Sequence, residues 1–476
     1  MTYGKEYLTS ETRGGCFSGT IGQRSRIGGW LFSRKGNETD MTKFLVSLIA
    51  LVFIGLAIAI AHGFVAPLKV HYRHDVYGPP TGPARTDSGN PNFVGLALSG
   101  GGARAAVFAA AGMQALHERG LLSTVTDVSS VSGGGFAASY LALHPVPEEG
   151  QADIYFDQMI DVVAHNYFRE VQLLQLQKPS RAFSPSRRLI SLQEALDRPG
   201  FLGKARFADL PHDRNFYFNA VSYDTGQRVV LSNGTLPAPE SAETTSVLPS
   251  RLRALSFAQP DRPASTPDDF PVSLAVATSA AFPPYLGPTT VELDYPDQKT
   301  PRYLHLGDGG VFENTGAETL REAIYARGPK QDATLYIFNA GMQLDPDLSQ
   351  NTLDISIWSR DVTRLVDVLT EYAGAHRKTM YEELDAKFSM NVVEHEFNYM
   401  DIVALSAAGK APNPRWLSWE SWKNATQADR NVSATPAEHL AKVPTALKIS
   451  PLNKDLMAAA AADLVELRFP VTSLSE

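Results

Sequence analysis

Two consecutive turns, each built from small residues and each joining an apolar run to a helical segment, constrain the fold most. The first turn contains Gly100 to Gly102, the second contains Ser132 to Gly135, and both lie between Phe93 and Leu143. Apolar runs continue to alternate with helical patterns further along the chain. This alternation predicts an α/β fold with a largely parallel sheet and helices on its faces.

The composition permits a large globular protein and excludes several kinds of site. The chain has 476 residues, of which 43% are hydrophobic, and a formal net charge of -8. This charge disfavours nucleic acid as a partner. Because the only cysteine, Cys16, lies in the N-terminal tail, disulfides and thiolate zinc sites within the chain are excluded. We predict neither a metal site nor another cofactor.

An uncharged apolar segment from Phe44 to Ala61 predicts a transmembrane helix within residues 41–66. More basic residues lie shortly before it, among them Lys35 and Lys43, than shortly after it. The positive-inside rule then predicts a single-pass membrane protein with a cytoplasmic N-terminus and an extracytoplasmic C-terminal part. In the alternative interpretation, Met41 begins a secretory signal that is cleaved. Both interpretations export the C-terminal part.

The chain is predicted to consist of five consecutive parts. These are a flexible N-terminal tail (1–40), the transmembrane helix (41–66), a linker (67–92), the main globular domain (93–385) and a C-terminal extension of that domain (386–476). The linker is rich in proline, glycine and charged residues, as expected of a segment that leads away from a membrane. Within the main domain, the patterns predict helices at 154–174, 189–196 and 355–384 and strands at 216–220, 228–231 and 335–339.

Ser132 is a candidate nucleophile. It lies in Ser-Val-Ser-Gly-Gly at 130–134, which is close to the Gly-x-Ser-x-Gly elbow that exposes a serine at the end of a strand. Such an elbow needs small neighbours because the strand turns abruptly into a helix. In the alternative interpretation, the cluster is a plain loop between a strand and a helix.

The glycine run from Gly100 to Gly102 has three interpretations. It begins a dinucleotide-binding Gly-x-Gly-x-x-Gly pattern, but Ala105 stands at the final position. It could also be a simple turn. As an oxyanion hole, its N–H groups at the start of a helix would stabilise the negative oxygen of a tetrahedral intermediate. Arg104 would then add positive charge or anchor the turn.

Asp308 is a candidate general base. It ends an apolar stretch and precedes Gly309 and Gly310, and Asp-Gly is also a common turn sequence. In sheets of the predicted kind, catalytic groups collect at the carboxyl ends of the strands. His305, three residues earlier, is the alternative partner if the site contains a histidine.

The three motifs together resemble those of the patatin-like phospholipase family. They are Gly-Gly-Gly-x-Arg at 100–104, Ser-Val-Ser-Gly-Gly at 130–134 and Asp-Gly-Gly at 308–310, in this order. The resemblance covers about residues 93–342. It implies a three-layer α/β/α fold with a mostly parallel central sheet, preceded here by the one N-terminal transmembrane helix, and it makes 93–385 the catalytic domain.

The resemblance also implies the roles of individual residues. The family uses a Ser–Asp dyad without histidine, so Ser132 corresponds to the nucleophile and Asp308 to the base. The residues that correspond to the oxyanion element are Gly100, Gly101, Gly102 and Arg104. Two positions depart from the family pattern, because Ser130 replaces the first glycine of the elbow and Ala105 replaces the glycine that often follows the arginine.

These predictions describe a membrane-anchored serine hydrolase that cleaves acyl esters of membrane lipids through an acyl-enzyme and needs no cofactor. A membrane anchor suits this activity because it raises the local concentration of lipid substrate. A lipid transacylase with the same dyad is one alternative. A non-catalytic, membrane-anchored protein with the same fold is the other.

Overall fold

A ten-stranded sheet dominates the computed structural model. The structure describes residues 35–65, 69–73, 92–147, 150–182, 185–234, 255–256, 266, 268–283, 285–294, 302–327, 330, 332–341, 368, 374, 377–408, 419–430 and 433–470. The chain divides into two compact units, residues 1–57 and residues 58–476, and the sheet lies in the second.

The strands follow one another in the sheet in the order β1-β7-β8-β4-β3-β2-β9-β10, with β5 beside β4 and β6 beside β5. Their bounds are β1 Lys69–Arg73, β2 Phe93–Leu98, β3 Asp127–Val131, β4 Asn215–Ser222, β5 Arg228–Ser232, β6 Leu255–Ser256, β7 Thr289–Asp294, β8 Arg302–Asp308, β9 Asp332–Asn339 and β10 Asn391–Asn398. The run from β4 through β3, β2 and β9 to β10 is parallel, whereas β8 is antiparallel to both its neighbours and β5 is antiparallel to β4. The sheet is therefore mixed, and the predicted parallel arrangement is confirmed for the run from β4 to β10.

The helices connect the strands and cover the sheet. Their bounds are α1 Lys35–Val65, α2 Gly102–His117, α3 Gly134–Leu143, α4 Ala152–Val163, α5 Tyr167–Gln177, α6 Pro185–Leu196, α7 Val272–Ser279, α8 Ala317–Ala326, α9 377–388, α10 Tyr399–Ala407, α11 Trp419–Asn424, α12 Pro436–Leu440 and α13 Pro451–Arg468. The predicted crossover helices after β2 and β3 are thus present as α2 and α3.

Strand β2 shows how the two faces of the sheet are buried. All its residues are buried, and successive side chains point to opposite faces. Leu96 and Leu98 belong to a large apolar cluster with α2, α3 and α13, whereas Phe93 and Ala97 join a second cluster that includes Leu320 of α8. The continuous apolar sequence of β2 is therefore explained by helices on both faces of a parallel sheet.

The segment after residue 385 contributes to the same sheet. Strand β10 pairs in parallel with β9 along its whole length, from Asn391 opposite Asp332 to Asn398 opposite Asn339. Helix α13 packs against α2, and Ser450 caps it by accepting a hydrogen bond from the N–H of Asn453. The predicted C-terminal extension therefore supplies an edge strand and a core helix.

Three segments differ from the sequence-based predictions. The predicted helix 154–174 is two helices, because the chain breaks after α4 and Asn166 caps α5 by accepting a hydrogen bond from the N–H of Arg169. The predicted linker 67–92 contains β1, which pairs in parallel with β7. Most of the predicted helix 355–384 and most of the predicted N-terminal tail lie outside the described residues.

Helix α1 contains the predicted membrane segment. Residues 42–58 are exposed, and the large apolar side chains among them include Phe44, Leu51 and Phe53. Within the part of the chain that the structure describes, no helix has the length and apolarity needed to cross a bilayer. The predicted transmembrane helix is therefore not confirmed.

Candidate active site

Ser132 occupies a sharp turn between β3 and α3. Its φ of 49° lies in the left-handed region, which a residue with a side chain adopts at a cost in conformational energy. The two residues after it have no room for a side chain. A Cβ on Gly133 would lie 2.1 Å from the carbonyl oxygen of Gly102, and one on Gly134 would lie 2.4 Å from that of Leu98. The predicted elbow is therefore present, and it packs directly on the glycine turn that follows β2.

Helix α7 and strand β4 hold the backbone of this elbow. The N–H of Ser132 donates to Oγ of Ser279, at 2.9 Å, and Oγ of Ser279 donates in turn to the carbonyl oxygen of Asn219, at 2.6 Å. Asn219 also donates through its side chain to the carbonyl oxygen of Ser130, at 2.9 Å. Two hydrogen bonds from outside its own loop thus stabilise the strained turn, and the bond from Ser279 to Asn219 links their two partners.

The register of β4 brings the ends of β3 and β8 together. Val131, the last residue of β3, is paired with Asn219, and Asp308, the last residue of β8, is paired with Ala220. Ser132 directly follows Val131. Two consecutive residues of one strand therefore place the candidate nucleophile and the candidate base side by side.

The Ser132 side chain lies close enough to the Asp308 carboxyl group for a hydrogen bond between them to lower the pKa of Asp308. The Asp308 side chain also accepts a hydrogen bond from the N–H of Gly310, at 2.7 Å, and the residue is only 2% exposed. Burial raises the pKa of Asp308 from 3.8 to about 7, although both hydrogen bonds favour the ionised form and lower it. The carboxyl group is therefore a much stronger base than an ordinary aspartate.

Tyr223 flanks the same carboxyl group. A Cβ on Gly307 would lie 2.3 Å from the Tyr223 hydroxyl oxygen, so the tyrosine ring lies directly over the end of β8. Burial, and after it the negative charge of Asp308, raises the pKa of Tyr223 to about 12. Tyr223 follows the last residue of β4, and the sequence analysis assigned it no role in the site.

The glycine turn offers two N–H groups near Ser132, fewer than predicted. Gly100 is unavailable as an oxyanion donor, because its N–H donates to the carbonyl oxygen of Asn314, at 2.9 Å. Within the described residues, no acceptor binds the N–H of Gly101 or Gly102, whose φ values are 140° and 62°. The N–H of Gly133, the residue after Ser132, also has no acceptor there. The candidate oxyanion hole therefore consists of Gly101 and Gly102, with Gly133 as a third donor that the sequence analysis missed.

Arg104 takes the anchoring role that the sequence left as an alternative. Its guanidinium group is buried and donates to the carbonyl oxygens of Val443 and Ala340, both at 2.7 Å, and it lies 5.4 Å from the ring centroid of Tyr399. Its positive charge is thus directed at the carbonyl oxygen of the residue after β9 and at one of the C-terminal segment. This geometry corrects its assignment to the oxyanion element: Arg104 fixes the start of α2, on which the glycine turn depends.

Asn314 is a second residue that the sequence analysis missed. Its main-chain carbonyl oxygen holds Gly100, and its side-chain oxygen would lie 2.3 Å from a Cβ on Gly100 and 2.7 Å from one on Gly310. The Asn314 side chain therefore fills the space between the glycine turn and the loop after Asp308. Its position six residues after the candidate base was the only available signal.

His305 is directed to another partner. Its Nδ1 lies 2.8 Å from Oδ1 of Asp224, its N–H donates to Oδ2 of the same residue, and its side chain is exposed. The structure therefore gives no support to a catalytic triad with His305. Within the described ranges, no cluster of three or more His, Cys, Asp or Glu side chains could hold a metal ion.

One family matches this chain in sequence. The model of the family described as "Patatin-like phospholipase" matches residues 96–321, a range that includes the glycine turn, Ser132 and Asp308. No curated protein matches the chain.

Several solved structures are similar at low identity. Human GIVD cytosolic phospholipase A2 has 14% identity over 51% of this chain and 43% of its own, with a TM-score of 0.33. VipD from Legionella pneumophila has 13% identity over 79% of this chain and 91% of its own, with a TM-score of 0.23. Full-length ExoU from Pseudomonas aeruginosa, solved with SpcU, has 15% identity over 79% of this chain and 77% of its own, with a TM-score of 0.19. This chain thus spans less than half the length of the human protein.

Proposed function

We propose that this protein is a serine lipid acyl hydrolase that uses a Ser132–Asp308 dyad, because residues 96–321 match the model of the patatin-like phospholipase family. Its substrates are ester-linked acyl chains of membrane lipids. The observation that carries the proposal is the register of β3, β4 and β8, which places Ser132 beside the buried Asp308, next to a turn whose N–H groups have no acceptor among the described residues.

The reaction begins with proton transfer within the dyad. Asp308 takes the hydroxyl proton of Ser132 while the serine oxygen attacks the ester carbonyl, and the carbonyl oxygen becomes negative in the tetrahedral intermediate. The N–H groups of Gly101 and Gly102, at the start of α2, donate hydrogen bonds to that oxygen. The intermediate collapses when the C–O bond of the ester breaks, and the leaving alcohol takes the proton from Asp308.

The second half of the reaction repeats these steps with water. Asp308 accepts a proton from a water molecule, whose oxygen attacks the acyl-enzyme, and the proton passes to Ser132 as the fatty acid leaves. A general base works best when its pKa lies near the operating pH. The burial that raises the pKa of Asp308 to about 7 meets this requirement without a histidine.

The acyl acceptor decides between hydrolysis and transacylation. We expect the full-length protein, incubated with a phospholipid that carries a labelled acyl chain, to release the label as free fatty acid. Label transferred to an added alcohol or lysophospholipid would identify a transacylase instead. If neither product forms while the protein is folded, the protein is a non-catalytic member of the fold. Lipid chromatography of the labelled products distinguishes these outcomes.

We further propose that residues 44–61 anchor the protein in a membrane, with the N-terminus cytoplasmic and the catalytic domain outside the cytoplasm. The exposed apolar side chains of α1 between residues 42 and 58 support this proposal, since water would not solvate them favourably. We expect the protein to remain in the membrane pellet after extraction with alkaline carbonate. We also expect external protease to digest the catalytic domain and leave an N-terminal tag intact. Release by carbonate would contradict the anchor, and digestion of the tag alone would reverse the orientation.

A further inference from the structure

Helix α5 carries three exposed large apolar side chains. Phe168 is 41% exposed, Leu173 48% and Leu176 76%, whereas Tyr167 and Val171 on the opposite side are buried. At 100° per residue, the three exposed side chains project from one side of the helix. We call Phe168, Leu173 and Leu176 the α5 face.

Two cationic residues border the start of the α5 face. Nζ of Lys448 lies 5.6 Å from the ring centroid of Phe168, and Arg169 is exposed next to the same ring. The one acidic residue of α5, Glu170, is already paired with His165 at 2.7 Å. An apolar face bordered by cations suits a surface with an apolar interior and negatively charged headgroups.

A short stretch of chain connects the α5 face to the candidate oxyanion hole. The N–H of Phe168 donates to the carbonyl oxygen of Leu447, at 3.0 Å. The residue before Leu447 is Ala446, whose carbonyl oxygen accepts a hydrogen bond from the N–H of Ala103, at 2.7 Å. Ala103 directly follows the glycine turn. The start of the α5 face therefore lies close to the point where the proposed substrate ester must bind.

We propose that the α5 face docks on an anionic phospholipid bilayer and so holds the active site against its substrate. Phe168, Leu173 and Leu176 enter the headgroup region, while Arg169 and Lys448 contact lipid phosphates. This inference rests on the proposed function, because it names the surface through which the same site reaches lipid. It assigns to α5 a contact distinct from the anchor proposed for residues 44–61.

The first test separates docking from chemistry. The double variant Leu173→Ser/Leu176→Ser of the full-length protein is compared with Val393→Ser/Leu467→Ser, whose side chains are also exposed, at 43% and 44%, on β10 and α13. We expect the α5 variant to hydrolyse vesicles of phosphatidylcholine and phosphatidylglycerol at least about tenfold more slowly than wild type, because apolar area that would enter the bilayer is lost. Its hydrolysis of a soluble p-nitrophenyl ester should stay unchanged, and the control variant should match wild type on both substrates.

Equal vesicle activity of the two variants would overturn the docking proposal. Inactivity of the wild-type protein on both substrates would instead refute the proposed function.

The second test does not depend on catalysis. Cys16→Ser is combined with Leu176→Cys or, as the control, with Val393→Cys, and each protein is labelled with an environment-sensitive fluorophore. We expect the emission at position 176 to shift to shorter wavelength on vesicles that contain phosphatidylglycerol, more than on phosphatidylcholine alone, and the emission at position 393 to stay constant. A shift at position 176 that depends on protein concentration without vesicles would show that a second copy covers the face. That result, or no shift at all, would overturn the proposal.

Discussion

Replacement of Ser132 by alanine is expected to abolish covalent labelling by a fluorophosphonate probe and to lower the hydrolysis of a soluble ester by roughly 10⁴-fold or more. The variant lacks the hydroxyl group that faces Asp308 beside the glycine turn. The N–H groups of Gly101 and Gly102 remain and can still bind a carbonyl oxygen, so a weak residual rate over water is expected. Labelling is measured by intact-protein mass spectrometry and hydrolysis by release of p-nitrophenol.

A matched control comes from the serine two residues earlier. Ser130 is fully buried in β3, and its Oγ lies 3.4 Å from the carbonyl oxygen of Tyr217, the length of a weak hydrogen bond. Ser130→Ala is therefore expected to keep probe labelling and to cost at most about 1 kcal/mol of the free energy of unfolding. Labelling that persists in Ser132→Ala, or that disappears in Ser130→Ala with the fold intact, would show that the nucleophile lies elsewhere.

The sequence predicted those parts of the site that depend on local backbone chemistry. The turn at Ser132 needs glycine at 133 and 134 because neighbouring carbonyl oxygens leave no space for a Cβ there, and this need is visible in the sequence as small residues between a strand and a helix. The parallel strands β4, β3, β2 and β9 follow in the same way from alternating apolar runs and helical patterns, whereas β10 was not predicted. The strand pair at 216–220 and 228–231 is confirmed as the antiparallel hairpin of β4 and β5.

The parts that depend on distant contacts could not be predicted. Whether the N–H of Gly100 is available depends on Asn314, and the direction of Arg104 depends on Val443 and Ala340. In all three contacts, the two residues are more than two hundred positions apart in the sequence. None of these contacts leaves a local pattern in the sequence. The residue types alone therefore suggested four oxyanion residues. In the fold, the N–H of Gly100 and the guanidinium group of Arg104 instead hold the glycine turn in place.

The sequence alone could not predict that β8 runs antiparallel to its neighbours, although the geometry of the site depends on this direction. A buried strand has the same apolar pattern whether its neighbours run parallel or antiparallel to it. Only the register shows that Asp308 ends β8 opposite Ala220, one residue from the partner of Val131. The proximity of the two candidate catalytic side chains is thus a consequence of sheet topology, and the motif order could suggest it only through resemblance.

Replacement of Asp308 by asparagine is expected to lower hydrolysis by roughly 10³–10⁴-fold, because the amide cannot take the Ser132 proton. The wild-type rate should itself depend on the ionisation of this group. Since burial raises the pKa of Asp308 to about 7, kcat/KM should rise with pH, reach half its maximum near pH 7 and level off above that. Asp224→Asn is the matched control. Asp224 is an exposed carboxylate on the neighbouring hairpin, and it bonds to His305. It should keep the activity and the pH profile of wild type.

The same substitution should change stability in a direction that depends on pH. The folded-state pKa of Asp308 lies above the value of 3.8 in an unfolded chain, so folding favours the protonated form. The stability that this group contributes is complete below pH 3.8 and is lost as the pH rises through about 7. The rise in pKa corresponds to a loss of roughly 4 kcal/mol from the free energy of unfolding of the wild-type protein as the pH rises. The Asp308→Asn variant does not undergo this loss, because asparagine does not ionise. The free energy of unfolding of Asp308→Asn, relative to that of wild type, should therefore increase from pH 4 to pH 8. Urea unfolding of both proteins at the two pH values measures this difference.

These two effects together distinguish a catalytic base from a structural carboxylate. A carboxylate that held the fold through ionised hydrogen bonds would have a lowered pKa, and its loss would destabilise the protein most at high pH. A buried base kept for chemistry gives the opposite result, since the variant loses activity and becomes relatively more stable as the pH rises. An inactive Asp308→Asn variant that is less stable than wild type at pH 8 by as much as at pH 4 would contradict the raised pKa. A wild-type rate independent of pH between 5 and 9 would contradict its role as the base.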